Sequence, residues 1–377
     1  MKDVMGMIYT TKDDVTLRQL TAARPVASLP VVGRYRLIDF MLSNMVNSGI
    51  RKVGIIVQKN YQSLMNHLGS GQEWDLHTKT DGLCILPPFQ SSRNLGTYEG
   101  TLDALRSNID YLRQSNQTYV ILSSSYGAFN MSFNAMREQH ERTGADITVM
   151  YTKRYHETYS GTDVRQAHTY FNVDDEGKVI GLEIGPNVPT YPNFSMSVML
   201  IKRTLLIYLL DNAAAHGMHD VHKDLLNYCL SDTKYNRIMA YEYKGYYRCI
   251  ESIQSYFQFN MDMLNFEMRR EMFGVKPVYT KVRDEVPAKY GSNAVCENSL
   301  VADGCVIDGT VINSVIGRGV HIERGAVVKN AIVMQACNIM PDVCIEHAIL
   351  DKDVTVRKGQ LIGQPVYPVV VEKGITI

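Results

Sequence analysis

The C-terminal part of the chain repeats a short pattern, and this repeat restricts the fold more than any other feature. A unit of the type Asn-Ser-Leu-Val begins at residue 298 and recurs at 313, 330 and 347, that is, after 15, 17 and 17 residues. Aliphatic residues recur every five or six positions, at Ile316, Ile322, Val328, Val333, Ile339, Ile345, Leu350, Val356 and Ile362. Short flat strands with one inward aliphatic side chain each are typical of a parallel β-helix. We therefore predict a left-handed parallel β-helix of hexapeptide-type repeats over 294–377.

A β-helix buries its core only by stacking coils, so its faces and ends are natural sites of subunit contact. The repeat region is accordingly expected to be an assembly domain. Uncharged positions that we expect to point outward on this domain are Val311, Val315, Ala331 and Ile349.

The rest of the chain alternates strand and helix patterns. Strands are predicted at 4–9, 52–58, 118–122, 146–151, 169–173, 178–183 and 237–243, and helices at 36–47, 102–112, 204–214, 221–230 and 253–270. This alternation predicts an α/β domain over 1–273, with an open, mostly parallel, Rossmann-like sheet whose ligands lie beyond the carboxyl ends of the strands. A polar segment with Pro and Gly, 274–293, is predicted to be the linker.

Composition excludes several classes of protein. The 377 residues include 39 basic and 39 acidic side chains, so nothing indicates nucleic acid or an anionic membrane as a partner. Seven cysteines without CxxC pairs favour a reduced, cytoplasmic protein over a disulfide or zinc framework. No apolar run reaches the length of a transmembrane helix.

One alternative for the repeat region is a hexapeptide-repeat acyltransferase, in which a histidine is the base and coenzyme A docks along the β-helix. The candidate bases are His321 and His347. His347, however, occupies the repeat position that holds Asn in the other coils, which indicates a turn residue.

The N-terminal region contains a long and specific motif. It comprises Leu20-Thr21, Arg24, Pro30, residues 33–40 (Gly-Arg-Tyr-Arg-Leu-Ile-Asp-Phe) and residues 42–50 (Leu-Ser-Asn-Met-Val-Asn-Ser-Gly-Ile). This motif resembles the N-terminal signature of the ADP-glucose pyrophosphorylase family, and with the β-helix the resemblance covers essentially the whole chain. The family makes ADP-glucose and pyrophosphate from ATP and glucose 1-phosphate. The resemblance implies a transition state whose charge Mg²⁺ and cationic side chains neutralise.

Four positions that carry this chemistry in the family hold other residue types here. The two metal-binding aspartates, in motifs of the type Ser-Gly-Asp-His and Tyr-Trp-Arg-Asp, correspond to Ser125 and Cys249. The two phosphate-contacting lysines, in motifs of the type Arg-Ala-Lys-Pro and Phe-Val-Glu-Lys-Pro, correspond to Val26 and Gly185. A hydroxyl and a thiol are poor Mg²⁺ ligands. The resemblance therefore implies a degenerate site without catalytic residues or a metal.

The family's glycine-rich phosphate loop is also replaced. Residues 10–17 read Thr-Thr-Lys-Asp-Asp-Val-Thr-Leu, without a glycine to let backbone N–H groups approach phosphate, and with Asp13 and Asp14 where anions would sit. We interpret 12–16 as an ordinary strand-to-helix turn. The alternative function is an active nucleotidyltransferase that uses substitute ligands such as Lys12 and Glu251.

Other family motifs persist. The positions that the resemblance assigns to a remnant substrate pocket are Gln90, Tyr98, Gly100, Thr101, Asp103 and Ser195. The motif His-Asp-Val-His-Lys-Asp at 219–224 also resembles a family motif. A structural explanation of the same residues is that they preserve helix caps and loop geometry.

Taken with the lost charges, the resemblance implies the non-catalytic, regulatory type of subunit in the Gram-positive bacterial enzyme. Such a subunit is expected to assemble in the cytoplasm with a catalytic paralogue, as a heterotetramer. It is expected to need no cofactor itself, whereas the catalytic partner uses Mg²⁺. Self-association is a second expected mode of assembly.

Overall fold

The computed structural model describes residues 1–10, 16–78, 81–88, 98–154, 168–232, 235 and 237–377. The chain divides into two compact units. The first unit comprises Met1–Asp13, Phe40–Cys249 and Lys276–Tyr279, and the second comprises Asp14–Asp39, Ile250–Val275 and Thr280–Ile377. Within the described residues, the structure contains no helix that is long and apolar enough to cross a membrane.

Ten α-helices lie in the described residues. They are α1 (Arg18–Thr21), α2 (Leu37–Asn47), α3 (Gln62–Leu68), α4 (Thr101–Ser107), α5 (Ile109–Arg113), α6 (Asn134–Thr143), α7 (Arg203–Ala215), α8 (Asn227–Ser231), α9 (Ile253–Asp262) and α10 (Phe266–Phe273). Short 3₁₀ segments at Val26–Ser28 and Gln72–Trp74 and a π-helical turn at Val221–Leu226 complete the helical structure of these residues.

The strands before the repeat region are β1 (Val4–Tyr9), β2 (Pro30–Val31), β3 (Tyr35–Arg36), β4 (Lys52–Ile56), β5 (Gly82–Leu86), β6 (Tyr119–Ser124), β7 (Gly127–Ala128), β8 (Ile147–Thr152), β9 (Thr169–Val173), β10 (Val179–Ile184), β11 (Asn193–Lys202), β12 (Ile238–Glu242) and β13 (Arg248–Cys249). Nine of these described strands form one sheet in the first unit, in the order β10-β9-β11-β6-β1-β4-β5, with β8 pairing β11 and β12. β1 is buried along its whole length, as the central strand of a parallel sheet must be when both faces are covered.

The parallel part of this sheet places several strand ends together. β1 pairs in parallel with β4 and β6, and β4 pairs in parallel with β5. Tyr9, the last residue of β1, lies opposite Ser124 of β6 and Ile56 of β4. The carboxyl ends of these strands therefore form one edge, which is where open α/β sheets hold their ligands.

Helix α2 shows why the 42–50 motif matters for the fold. The Asn44 side chain donates to the carbonyl of Phe129 (3.0 Å) and accepts from the N–H of Met131 (3.0 Å). Ser48 Oγ accepts from the N–H of Phe133 at 2.7 Å. These buried hydrogen bonds attach one face of the helix to residues 129–133, because polar groups in the interior need partners. The motif is therefore part of the scaffold.

Three predicted helices are each divided in the structure. The helix predicted at 221–230 becomes the π-helical turn at Val221–Leu226 followed by α8. The helix predicted at 102–112 becomes α4 and α5, which meet at Asn108, whose amide donates to the carbonyl of Ala104 at 2.8 Å. The helix predicted at 253–270 becomes α9 and α10, because Asn265 caps the second helix by accepting from the N–H groups of Glu267 and Met268. Asn side chains that bond to nearby backbone favour helix starts over helix interiors.

The second unit contains the predicted β-helix. Its strands are β14 (Lys289–Tyr290), β15 (Val295–Glu297), β16 (Leu300–Val301), β17 (Val306–Ile307), β18 (Thr310–Ile312), β19 (Val315–Ile316), β20 (His321–Ile322), β21 (Val327–Lys329), β22 (Ile332–Val333), β23 (Asn338–Ile339), β24 (Cys344–Glu346), β25 (Ala348–Leu350), β26 (Thr355–Val356), β27 (Leu361–Gly363) and β28 (Val369–Val371). They form three parallel sheets of five strands each, which together make the left-handed β-helix. The first strand lies at 289–290, within the predicted linker.

The periodic aliphatic residues face the interior, as predicted. All are buried in one hydrophobic cluster except Ile362, which is partly buried against it. The repeat position at 298, 313, 330 and 347 forms the corner between strands. All four residues there have positive φ, from +41° to +52°, which confirms that His347 is a turn residue like the asparagines of the other coils.

The prediction that four positions point outward was wrong for two of them. Val311, Val315, Ala331 and Ile349 are all buried. Val311 and Ala331 belong to the interior cluster, since Val311 lies in register with Val328. Val315 and Ile349 alternate with inward residues on the outer face of their sheet. That sheet ends in β28, against which α1 packs.

The compact units divide the chain differently from the predicted boundaries at 273 and 294. Residues 250–275 and the N-terminal residues 16–39 pack with the β-helix in the second unit. Asn260 of α9 illustrates the reason, because its buried side chain accepts from the N–H of Val32 at 2.8 Å. The second unit is thus assembled from three separate stretches of sequence.

Candidate functional site

The carboxyl edge of the sheet in the first unit brings together the two positions that were predicted to replace the metal ligands. Ser125 directly follows β6. β13 pairs antiparallel with β7 and places Cys249 opposite Gly127, two residues beyond Ser125. The sheet topology therefore holds the serine and the cysteine on neighbouring segments, as a pair of metal ligands would need to be held.

Neither side chain suits Mg²⁺. Ser125 is 2% exposed, and its Oγ makes no hydrogen bond with any other described residue. Cys249 is buried in its strand. Mg²⁺ requires hard, usually anionic oxygen ligands. Within the described residues, no cluster of three or more His, Cys, Asp and Glu side chains could hold a metal ion. The residues present at this edge do not fit the ion.

Tyr9 occupies the same edge. Its side chain is buried, and this burial raises the pKa of Tyr9, with further contributions from the charge of Asp220 and from Cys249. The hydroxyl is hydrogen-bonded to Ser197. A neutral phenol therefore lies close to the cysteine, where the family chemistry requires charge. Tyr9 was not among the predicted site residues, although an aromatic side chain at the end of a strand of smaller apolar residues was a usable signal.

The hydrogen-bond partner of Tyr9 lies in a distorted part of β11. The pairing of β11 with β8 shifts register between Ser195 and Met199, and Ser197 has a φ of +53°. The N–H of Ser197 donates to Ser195 Oγ at 3.2 Å. Bulges of this kind redirect side chains near functional sites. Ser195, which the resemblance assigned to the remnant substrate pocket, is buried and has this local partner.

The retained motifs at 98–103 and 219–224 hold each other in place. Thr101 Oγ1 accepts from the N–H of Val221 at 3.0 Å, and the N–H of Leu102 donates to the carbonyl of His219 at 2.9 Å. A Cβ on Gly100 would lie 2.3 Å from that carbonyl oxygen, so only glycine allows the approach. These contacts give both motifs a structural role.

The remaining polar groups of the two motifs serve as caps. Asp220 accepts from the N–H groups of His222 and Lys223, both at 2.8 Å, and so caps the turn that begins at Val221. Asp224 accepts from the N–H groups of His219 and Asp220; although burial opposes it, these hydrogen bonds lower the pKa of Asp224. Its negative charge is thereby held by backbone donors.

Two further predicted pocket residues have local partners. Asp103 Oδ2 accepts from the N–H of Glu99 at 3.3 Å. The backbone carbonyl of Tyr98 accepts from Gln58 Nε2 at 3.4 Å. Gln90 lies outside the described residues, as do Lys12, Asp13 and Asp14.

Comparison with known proteins agrees with this architecture. The nucleotidyl transferase family matches residues 15–265, and the GlmU-like C-terminal hexapeptide family matches residues 285–367. The chain is 31% identical to the glucose-1-phosphate adenylyltransferases of Bacillus mycoides and Bacillus anthracis over 92% of its length and 91% of theirs. The chain belongs to the glucose-1-phosphate adenylyltransferase family. It is also 33% identical to the glycogen biosynthesis protein GlgD of Bacillus subtilis, over 99% of this chain and 96% of that protein.

The two positions of the adenylyltransferase family's phosphate-contacting lysines are apolar or lack a side chain here. Gly185 follows β10 with a φ of +59°, and its N–H donates to the carbonyl of His168 at 2.7 Å. Val26 starts a 3₁₀ turn in the second unit and is buried. The first position is a tight turn and the second is part of an apolar core, so neither offers a cation.

Glu251, the substitute ligand in the alternative function, belongs to the second unit. It is buried, and its backbone N–H donates to Ser255 Oγ at 3.0 Å at the start of α9. Its backbone carbonyl accepts from the hydroxyl of Thr16. The backbone of Glu251 therefore helps to fix the entry to α9.

The second unit also contains a cluster of buried and half-buried charges that the sequence did not predict. Arg24 and Asp351 form an ion pair in which both side chains are almost wholly inaccessible. Next to it, burial and the charges of Arg36 and Arg24 lower the pKa of Lys352 to about 7, with Asp351 opposing this effect. Burial likewise lowers the pKa of Arg36 to about 10. The residues are far apart in sequence, so no local pattern could have grouped them.

Proposed function

We propose that this chain is a non-catalytic or very weakly catalytic subunit in glycogen biosynthesis. It assembles in the cytoplasm with a catalytic glucose-1-phosphate adenylyltransferase and raises or regulates the activity of that partner. The observation that carries the proposal is the composition of the carboxyl edge. Ser125 and Cys249 stand there at the positions that hold carboxylates in the family, and the buried phenol of Tyr9 lies at the same edge. The names of the Bacillus relatives support the role in glycogen synthesis.

The reaction of the family explains why this composition is disabling. Attack of glucose 1-phosphate on the α-phosphorus of ATP builds negative charge, which must be neutralised in the transition state. Loss of one such interaction typically costs a few kcal/mol, or about 10²- to 10³-fold in rate. Here both metal positions and both lysine positions have changed, so Mg²⁺ and the chemistry belong to the catalytic partner.

A subunit without chemistry can act only by binding two states of its partner with different affinity. Coupling of this kind is typically about 1–3 kcal/mol, which corresponds to a change in the partner's binding affinity of several-fold to about a hundredfold. The scaffold elements that are retained, helix α2 and the β-helix, are those that a catalytic paralogue would share. Because the two kinds of subunit share a fold, the contacts that join like subunits can also join unlike ones. The mixed oligomer in our proposal is a heterotetramer.

The test is to express the chain alone and together with a catalytic adenylyltransferase from the same organism. Alone, it should release pyrophosphate from ATP and glucose 1-phosphate many orders of magnitude more slowly than the catalytic chain. Together, the two should elute as one complex in size-exclusion chromatography, with turnover or substrate affinity changed at least several-fold. If the two chains eluted separately and the kinetics of the catalytic chain were unchanged, the proposal would be wrong.

One outcome of the same assay would favour the alternative, an active nucleotidyltransferase with substitute ligands. In that case the isolated chain would work within about tenfold of a normal family enzyme, and Glu251→Gln would abolish its activity, since charge at the metal is worth orders of magnitude in rate. The matched control is Glu297→Gln, because Glu297 is an exposed residue of the β-helix.

A further inference from the structure

A groove of about 1160 Å³ in the second unit has no role in the function proposed above. Its lining comes from helix α9, from the β-helix corners at 298, 313, 330 and 347, and from the segment 361–365. Typical small-molecule sites measure roughly 300–1,000 Å³. The groove can therefore hold a ligand that is longer than a single small molecule.

The corners of the β-helix place a column of polar side chains along this groove. All four corner residues have positive φ, and their coils are stacked by parallel strand pairing, so that successive corners lie about 4.8 Å apart. Asn298 Nδ2 donates to Asn313 Oδ1 at 2.8 Å. The carboxamide of Asn330, one coil further along, makes no hydrogen bond with any described residue. Its donors and its acceptor are therefore available to a ligand.

The groove is rich in carboxamides and carries no unbalanced carboxylate. Asn265 and Gln364 add their carboxamides to those of the corner asparagines. Glu346 is the one acidic residue among the described residues that line the groove, and it is paired with Lys329 at 3.4 Å. None of these lining residues is lysine or arginine. Phosphate and carboxylate ligands are held mainly by cationic donors, so this lining favours a neutral polar ligand.

Apolar surface lies beside these carboxamides. Leu361 is 80% exposed, and Met261 of α9 belongs to the same lining. The ring of His347 packs edge-on against Phe257, with centroids 4.8 Å apart, and His347 Nδ1 donates to the carbonyl of Gln364 at 2.7 Å. Carboxamides both donate and accept hydrogen bonds. Together with exposed aliphatic carbon they match a pyranose sugar, whose hydroxyls are polar and whose ring C–H faces are apolar.

We propose that this groove binds a linear α-glucan, the polymer that glycogen biosynthesis extends. The carboxamides of Asn330 and Gln364 hold sugar hydroxyls, and Leu361 packs against the C–H face of a ring. Such binding would keep the subunit and its partner at the polymer whose precursor the family makes. The choice of an α-glucan among neutral sugars rests on the proposed role in glycogen biosynthesis. A bound peptide strand would instead need an unpaired strand edge, whereas the corner residues present side chains to the groove.

The experiment measures binding of maltoheptaose to the purified full-length chain by isothermal titration calorimetry. We expect a Kd of about 1 mM or below. Glucose should bind at least about tenfold more weakly, because it occupies only part of the groove. Cellohexaose, a straight β-linked glucan, should also bind at least about tenfold more weakly, because it presents its hydroxyls at a different spacing.

Two variants remove exposed side chains from the groove and should therefore fold. Gln364→Ala removes a carboxamide, and Leu361→Ser removes apolar surface. Each should weaken maltoheptaose binding by about two- to tenfold, which is the usual effect of one neutral hydrogen bond or of a small apolar contact.

A third variant tests the column of corner residues. Asn330→Gly removes the carboxamide, and glycine accepts the φ of +46° at this corner, so binding should weaken by a similar factor without backbone strain. The matched control is Asp342→Gly. Asp342 is an exposed β-helix residue with a φ of +59° that does not line the groove, so this variant should bind maltoheptaose as the parent does.

Absence of maltoheptaose binding at about 10 mM would overturn the proposal, and so would binding that none of the three groove variants changes. Equally tight binding of cellohexaose would overturn the assignment to the polymer of glycogen synthesis. If maltoheptaose does not bind and Leu361→Ser prevents the mixed complex with the catalytic subunit, the groove is a protein interface. The calorimetry uses this chain alone, so a failure of the regulatory function would leave its result unchanged.

Discussion

The guanidinium of Arg24 contacts the carboxylate of Asp351, although 327 residues separate them in the chain. The two side chains are 3% and 1% exposed. Removing water from two charges is expensive, and only their close contact and further hydrogen bonds offset it. Asp351 has such a second bond, because its Oδ1 accepts from the N–H of Lys352 at 2.6 Å. The pair therefore fixes the N-terminal segment of the second unit against the β-helix.

Asp351→Ala should lower the free energy of unfolding by about 3–5 kcal/mol, because it leaves the Arg24 guanidinium buried without its counter-ion. Denaturant titration followed by circular dichroism measures the change. The matched control is Lys329→Gln, which breaks an exposed ion pair with Glu346 in the same β-helix and should cost less than about 1 kcal/mol. Equal losses of unfolding free energy in the two variants would show that the buried ion pair stabilises the fold no more than the exposed one does.

Lys352 should make stability depend on pH. Its pKa falls from an ordinary value of 10.5 to about 7 in the folded protein. Between these values the unfolded chain binds a proton that the folded chain does not, so stability should rise as pH increases from 7 to 10.5. Lys352→Met should be more stable than the parent near pH 7, and this advantage should shrink toward pH 10.5.

The measurement is a series of thermal melts across that pH range. Lys352→Arg provides the control, because arginine stays charged and should keep the second unit destabilised throughout the range. Parallel pH profiles for the parent and Lys352→Met would show that the amine is not desolvated in the way that the structure indicates.

The corner residues of the β-helix should tolerate glycine but not alanine. Asn313 has a φ of +47°, and its side chain accepts a hydrogen bond from Asn298 at 2.8 Å. Left-handed backbone costs a residue with an ordinary Cβ about 1–2 kcal/mol, whereas glycine adopts it freely. Asn313→Ala should therefore unfold at lower denaturant concentration than Asn313→Gly. The reverse order would contradict a backbone cost at this corner, because both variants lack the asparagine side chain.

Restoring the two carboxylates should not restore catalysis. Ser125→Asp with Cys249→Asp should remain nearly inactive, because the positions of Val26 and Gly185 still lack lysine and the phenol of Tyr9 still fills the edge. Effects within one active site are not additive, so partial repair gives little. Steady-state release of pyrophosphate from ATP and glucose 1-phosphate is the assay. Substantial turnover from Ser125→Asp alone would disprove the view that the defect is shared among several positions.

Sequence periodicity predicted the β-helix well because each coil is specified by its own short stretch of chain. The aliphatic series from Ile316 to Val356 is buried as expected. The same reasoning placed Val315 and Ile349 on the outer face but did not show that they are buried, since a repeat shows which residues alternate and not which of them another segment covers.

The candidate site was predictable in part. The resemblance identified Ser125 and Cys249, and the sheet topology places them on neighbouring segments. Tyr9 was missed because its effect depends on where its ring lies, which a strand pattern does not give. The ion pair of Arg24 with Asp351 was missed for a related reason, because no sequence spacing encodes contacts between such distant residues.

The wide separation of Arg24 from Asp351 has a consequence during protein synthesis. At about 5–20 residues per second, a ribosome takes roughly 15–65 s to make the 327 residues between them. Throughout that time the first part of the second unit, including the apolar side chains of Val26 and Leu29, has no β-helix against which to fold. These apolar side chains therefore stay exposed on the nascent chain while the first unit is synthesised. Residues 16–39 are therefore the place where a chaperone that shields new polypeptides would be needed most.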